Sequence, residues 1–122
     1  MEEFDTEFDR CAEWLQAALD RSGGTHTLDD VRTAIATGLM QFWPAPRGCA
    51  VTEIITYPQK RVLHIFLAGG EMDQIVDMDE SAAEFARQNG CTGMTIAGRK
   101  GWQKVLKDKG YEPAFTVLSK DI

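Results

Sequence analysis

The stretch that decides the fold is Gly90–Cys91–Thr92–Gly93–Met94–Thr95–Ile96–Ala97–Gly98–Arg99–Lys100–Gly101–Trp102, followed by Val105–Leu106 and Lys109–Gly110–Tyr111. Asn89–Gly90 stops a helix, and Met94–Ala97 reads as a short buried strand. Gly98 opens a turn, Lys100–Lys107 follows as an amphipathic helix, and Gly110 caps its end. A helix stop, a strand and a second capped helix within about twenty residues make the closing half of an α/β unit. The same stretch sets Arg99 and Lys100 at a helix start, where unpaired N–H groups favour anions over cations. With Gly98 freeing the backbone, the pair is a candidate site for a phosphate or a partner's carboxylate. The alternative is a solvated turn whose cations are paired by nearby acids.

Upstream, Glu7–Ser22 reads as a helix, with Phe8, Cys11, Ala12, Leu15, Ala18 and Leu19 forming one apolar stripe, Thr6 as its cap and Ser22–Gly23–Gly24 as its end. Thr27 before Leu28–Asp29–Asp30 starts a shorter helix that buries Leu28, Val31, Ile35 and Leu39. Phe42–Trp43–Pro44–Ala45–Pro46–Arg47–Gly48 reads as a loop, because its two prolines oppose helix and central strand. Ala50–Thr56 and Arg61–Ala68 are strands joined by Tyr57–Pro58–Gln59–Lys60, an antiparallel hairpin. In the second strand Val62, His64 and Phe66 face one way and Leu63, Ile65 and Leu67 the other. Short helices follow Gly69–Gly70 up to Gln88, and Ala114–Ser119 is expected as a last strand. The order is α-α-β-β-(αα)-β-α-β over one domain, 1–122. It sums to an α/β (α+β) architecture with a mixed, twisted sheet and helices on both faces.

Composition narrows the function. The 122 residues carry 13 basic and 19 acidic side chains, a net charge of −6, which opposes general binding of nucleic acid. At 43% hydrophobic and 26% charged the chain has the make-up of an ordinary globular protein. No apolar run is long enough to cross a membrane, and the acidic start MEEFDTEFDR is unlike a targeting signal, so synthesis in the cytoplasm is expected. Cys11, Cys49 and Cys91 lie far apart without a CxxC and read as free thiols that serve as small core residues.

From Arg61 to Ile122 the pattern resembles the core of the Gcn5-related N-acetyltransferase (GNAT) fold. The matching parts are a central strand (Leu63–Leu67), a helix ending in Asn89–Gly90–Cys91, and a strand at Met94–Ala97. A helix with Gly101–Trp102 near its start and Lys109–Gly110–Tyr111 before a last strand complete the set. More narrowly, GCTGMTIAGRKGWQKVL…GY is similar to small GNAT-like proteins of short-tailed bacteriophages, found among virion assembly genes. The resemblance implies a phage protein made in the host cytoplasm, virion-associated, whose partners are other virion or assembly proteins.

Against this pattern one loop departs. Members that use acetyl-CoA hold its pyrophosphate with Arg/Gln-x-x-Gly-x-Gly/Ala, whereas this chain reads Leu67–Ala68–Gly69–Gly70–Glu71–Met72–Asp73. Two glycines remain, but Glu71 and Asp73 put negative charge where phosphates would sit. A like-charge contact at ~4 Å costs about 1 kcal/mol in water and more in an enclosed site. Gly69–Gly70 is open to two readings, a close approach to ligand or a tight strand-to-helix turn.

No catalytic residue and no metal ligand set is legible. His64 lies inside a strand and His26 in a loop, neither with a visible partner for general-base work. Asp73, Asp77, Asp79 and Glu80 lack calcium-loop spacing and suit solvated helix starts. Tyr111 is either a core ring after a glycine cap or, by the resemblance, a general acid. Phe42 and Trp43, large aromatics among prolines, are candidate protein-contact residues, as are Arg99 and Lys100; the alternative for the aromatics is an edge of the core. The expectation is a non-catalytic GNAT-like protein that acts through protein contacts, without cofactor, nucleic acid or membrane. The alternative is an acetyl-CoA-dependent N-acetyltransferase acting on an amine.

Overall fold

Phe4, Phe8, Cys11, Leu15 and Leu19 recur at intervals of three and four and line one side of helix α1 (Glu2–Leu19) in the computed structural model, which describes residues 2–98 and 101–122. After α2 (Leu28–Ala36) come three strands in succession, β1 (Gln41–Ala45), β2 (Gly48–Thr56) and β3 (Arg61–Gly70). Helices α3 (Met72–Asp77) and α4 (Asp79–Gln88), strand β4 (Gly93–Ile96), helix α5 (Gly101–Leu106) and a 3₁₀ turn at Lys107–Lys109 follow. The four strands lie in the order β1-β2-β3-β4, with both hairpins antiparallel and β3 parallel to β4. The helical crossover between β3 and β4 is what permits the parallel pairing.

Helices cover both faces of this sheet. Phe8, Cys11 and Leu15 of α1 and Val31 of α2 bury Cys49, Val51 and Leu67 on one face. On the other, Ala82 and Ala86 of α4 pack on Leu63, with Trp43 and Met94 against them. Ile75, Trp102 and Leu106 extend that second layer towards Ile96 and Tyr111. The fold class read from the sequence therefore holds: a mixed α+β sheet between two helical layers. All three cysteines are free and buried, as expected of small core residues.

Several elements differ from the sequence reading. Helix α1 begins at Glu2 and ends at Leu19, because Phe4 extends the stripe onto Phe8 and Phe42 and acids fill the first turn. Helix α2 stops at Ala36, Gly38 takes φ +82°, and Leu39 is exposed while Met40 is buried in its place. Phe42–Ala45 is a strand and not a loop. Its proline is tolerated because β1 is an edge, where one side of the backbone needs no ladder partner. In β3 strict alternation fails: Val51 pairs with Leu67 and Thr52 with Ile65, so Phe66 is the extra residue of a bulge. The bulge brings Leu67 round to the α1 face beside Phe66, while Ile65 stays on the other. Finally, Ala114–Ser119 forms no strand and lies exposed.

Candidate functional site

The two glycines of the sequence pattern are the last residues of β3, where Gly69 pairs with Cys49 and Gly70 with Gly48 of β2. A Cβ on Gly69 would come within 2.8 Å of the Trp14 carbonyl oxygen on α1. Gly70, at φ +95°, would bring a Cβ within 2.5 Å of the Arg47 carbonyl oxygen and of Gly48 Cα. Of the two readings open for these glycines, close packing against neighbouring backbone is the one the geometry takes.

The Ala45–Gly48 turn beside the end of β3 is held from three sides. Arg10 of α1 donates to the carbonyl oxygens of Ala45 (2.9 Å) and Pro46 (3.1 Å). The Arg47 N–H donates to Gln74 Oε1 at 3.1 Å, and the Glu71 N–H donates to the Arg47 carbonyl at 2.8 Å. The Arg47 guanidinium meets Glu71 and reaches Asp73 at 3.7 Å. A pyrophosphate here would have to displace the Arg47 carbonyl from the Glu71 N–H and face two carboxylates.

Beneath α3 and α4 the sheet face that β1 to β4 present is closely packed. What remains is a void of about 20 Å³, bordered by Trp43, Thr52, Ile65, Ile96, Leu106 and Tyr111. That is room for about one water molecule, against the ~300 Å³ or more of an ordinary ligand pocket. Trp102 is buried against Gly98, where a Cβ would lie 2.9 Å from the indole ring.

A wider, polar recess of about 370 Å³ opens on the far side of Tyr111, bordered by Asp79, Glu80, Arg87, Met94, Lys109 and Glu112. The Tyr111 hydroxyl donates to Asp79 Oδ1 at 2.8 Å and lies 3.8 Å from Met94 Sδ. Burial, and then the Asp79 carboxylate, push the phenol above its ordinary range, so it stays protonated. Tyr111 and Asp79 border both the void and the recess, a coupling that the sequence spacing of 32 residues gave no signal of.

The remaining candidates separate. Phe42 and Trp43 point to opposite faces of β1 and are half-buried. Phe42 stacks against Phe4 and Phe8, whereas Trp43 meets Phe85 edge-on and donates from Nε1 to Thr52 Oγ1 at 2.9 Å. Thr52 passes its own proton to Gln41 Oε1 at 2.8 Å, which satisfies the one buried polar side chain of the sheet among the described residues. Each aromatic thus packs part of its ring against the chain's own core and leaves part exposed. Arg99 and Lys100 lie outside the described residues. His64 Nδ1 pairs with Thr95 Oγ1 at 2.8 Å across β3 and β4, and burial lowers its pKa. The acids are engaged by partners: Asp73 by Arg47, Asp79 by Tyr111, Glu80 by Arg87.

No protein-family model matches this chain, and no curated protein matches it in sequence. Solved structures do resemble it in shape. An acetyltransferase of Trypanosoma brucei superposes with a TM-score of 0.62 at 13% identity over 78% of each chain. A GNAT family acetyltransferase of Staphylococcus aureus superposes with 0.59 at 10% identity, over 96% of this chain and 93% of that one. The protein TTHA1254 of Thermus thermophilus gives 0.59 at 17% identity over 87% and 88%. At these identities the likeness establishes the fold, which is that of the GNAT proteins.

Proposed function

We propose that this GNAT-fold chain does not transfer acetyl groups and acts through protein contacts, as a component of bacteriophage virion structure or assembly. The observation that carries the first half is the end of β3, where Gly69 and Gly70 are packed against Trp14, Arg47 and Gly48 and are followed by Glu71 and Asp73, both turned to Arg47. The small void beneath α3 and α4 supports the same reading, since an acyl chain would need many times its volume. The phage setting is supported by the resemblance of Gly90–Tyr111 to small phage-encoded relatives of the fold.

A second reading, acetyl-CoA-dependent N-acetylation of an amine, is favoured by one arrangement. A protonated phenol, Tyr111, stands beside Asp79 at the wall of a polar recess, and the structural neighbours include acetyltransferases. Titrating acetyl-CoA while following the melting temperature separates the two. A ligand at 100 times its Kd adds about 2.7 kcal/mol, on the order of 10 °C in Tm for a chain of this size. The proposal expects no shift at millimolar acetyl-CoA; a shift of several degrees overturns it. The assembly role is checked by asking whether the protein sediments with phage particles or their precursors, and its absence from all of them overturns that half.

A further inference from the structure

Two of the three buried cysteines are neighbours within the main core. Cys11 of α1 and Cys49 of β2 are both fully buried in one cluster, whereas Cys91 lies in the other layer with Ala82 and Ala86. Contacts on either side of the pair draw α1 down onto the sheet at this point. Gly69 is the strand partner of Cys49, and its missing Cβ leaves room for the carbonyl oxygen of Trp14, one helical turn beyond Cys11. On the other side Cys49 pairs with Pro44, and the next two carbonyls, of Ala45 and Pro46, accept from Arg10, the residue before Cys11. Between these two anchors the thiols face each other. Burial raises both, and the Cys11 thiol is held back in part by its hydrogen bond with Cys49.

A disulfide needs Cα atoms about 4.4–6.8 Å apart with their Cβ atoms turned towards one another. A helix pressed onto a strand at a glycine supplies that approach. We propose that Cys11 and Cys49 are a disulfide-forming pair, a redox latch that fastens α1 to the middle of the sheet. In the closed fold both thiols stay protonated and out of reach, so the reaction waits on local opening of α1. The oxidant is a low-molecular-weight disulfide. One protein thiolate attacks it, a mixed disulfide forms and one small thiolate leaves. The second protein thiolate then attacks the protein sulfur of that mixed disulfide, and the other small thiolate leaves. The two protein protons pass to the small thiols, so the pair is oxidised by two electrons and the small disulfide is reduced. The bridge closes a loop that holds α2 and β1, which restricts the unfolded chain. In a reducing cytoplasm the latch stays open, and it closes when the chain reaches an oxidising medium. The latch goes beyond the proposed function and does not depend on it.

The test is incubation of the full chain with oxidised glutathione, read by intact mass, peptide mapping and thermal melting. The expected product has lost two hydrogens, carries a Cys11–Cys49 bridge, and melts on the order of 10 °C above the reduced chain. Cys91→Ala should keep both the bridge and the rise in Tm, and Cys11→Ala should abolish them. Peptide mapping reads the bridge in the unsubstituted chain, so the outcome stands even where a variant folds poorly. A chain that keeps all its thiols free, carries glutathione adducts alone, or links Cys91 overturns the proposal. A Cys11–Cys49 bridge that fails to raise Tm overturns it as well, because such a bond does not fasten the fold.

Discussion

The β1 edge and the β4 edge bound the same four-stranded sheet, yet they are built on different terms. At β1 every feature turns inward: Phe42 goes to the α1 layer, Trp43 to the α4 layer, and the Ala45–Gly48 turn seats against Gly69 and Gly70. At β4 the strand is four residues long, a polar recess opens beside it, and the chain beyond Tyr111 leaves the body. On the closed side the glycines at the end of β3 and the Glu71 N–H are engaged by the chain's own backbone, whereas the open side keeps polar surface exposed.

The closed side should break first and hardest at Gly70. Gly70→Ala adds a Cβ against immovable backbone at a positive φ, so stability should fall by about 3 kcal/mol or more, read from urea denaturation. Trp43→Ala removes a half-buried indole and leaves Thr52 without a donor, and a loss of about 3 kcal/mol is expected in the same measurement. A loss below about 0.5 kcal/mol would place Trp43 on a docking surface and not in the core. Arg10→Ala frees two carbonyls at the tip of the turn, and because the site is exposed the loss in the same measurement should be clearly smaller than that of Trp43→Ala.

The open side should respond to pH. Tyr111 has a raised pKa, so the folded state holds its proton more tightly than the unfolded one. The stability it contributes is complete below the ordinary phenol value of about 10 and is lost as pH rises above it. Tyr111→Phe should flatten that alkaline decline. His64 behaves in the opposite sense. Its pKa is lowered, so its contribution is present above the ordinary value of about 6.5 and is lost as pH falls below it. Here His64→Gln should flatten a shallow acid decline in Tm, the smallest of these effects, and an unchanged slope would remove His64 from the pH response.

Much of the fold was legible because it depends on local periodicity. The α1 stripe, the Thr27 cap, the β2–β3 hairpin and the crossover to β4 each announce themselves in residue type and spacing. The misread elements share a cause. Pro44 opposes a strand only where both sides of it must pair, and sequence cannot tell an edge from a centre. The bulge at Phe66 inverts which residues share a face, and no composition marks it. Ala114–Ser119 has the residues of a strand, but a strand forms only beside another. At the site, the acids of Glu71 and Asp73 were readable as a departure from the phosphate-binding pattern. Their partner, Arg47, was not, because the contact joins a hairpin tip to a loop far along the chain that only the packed sheet brings near.

By itself, then, the order of residues determined the α+β class, the helical layers, the buried cysteines and the charge at the loop after β3. These follow from side-chain size, periodicity and charge, which act over a few neighbours along the chain. Tertiary structure alone decided that the glycines at the end of β3 press on Trp14, Arg47 and Gly48, that Tyr111 meets Asp79, and that β4 is left with an open edge. Each of these is a meeting of distant segments, and its energy depends on geometry that arises only once the sheet has formed and the helices have packed on it.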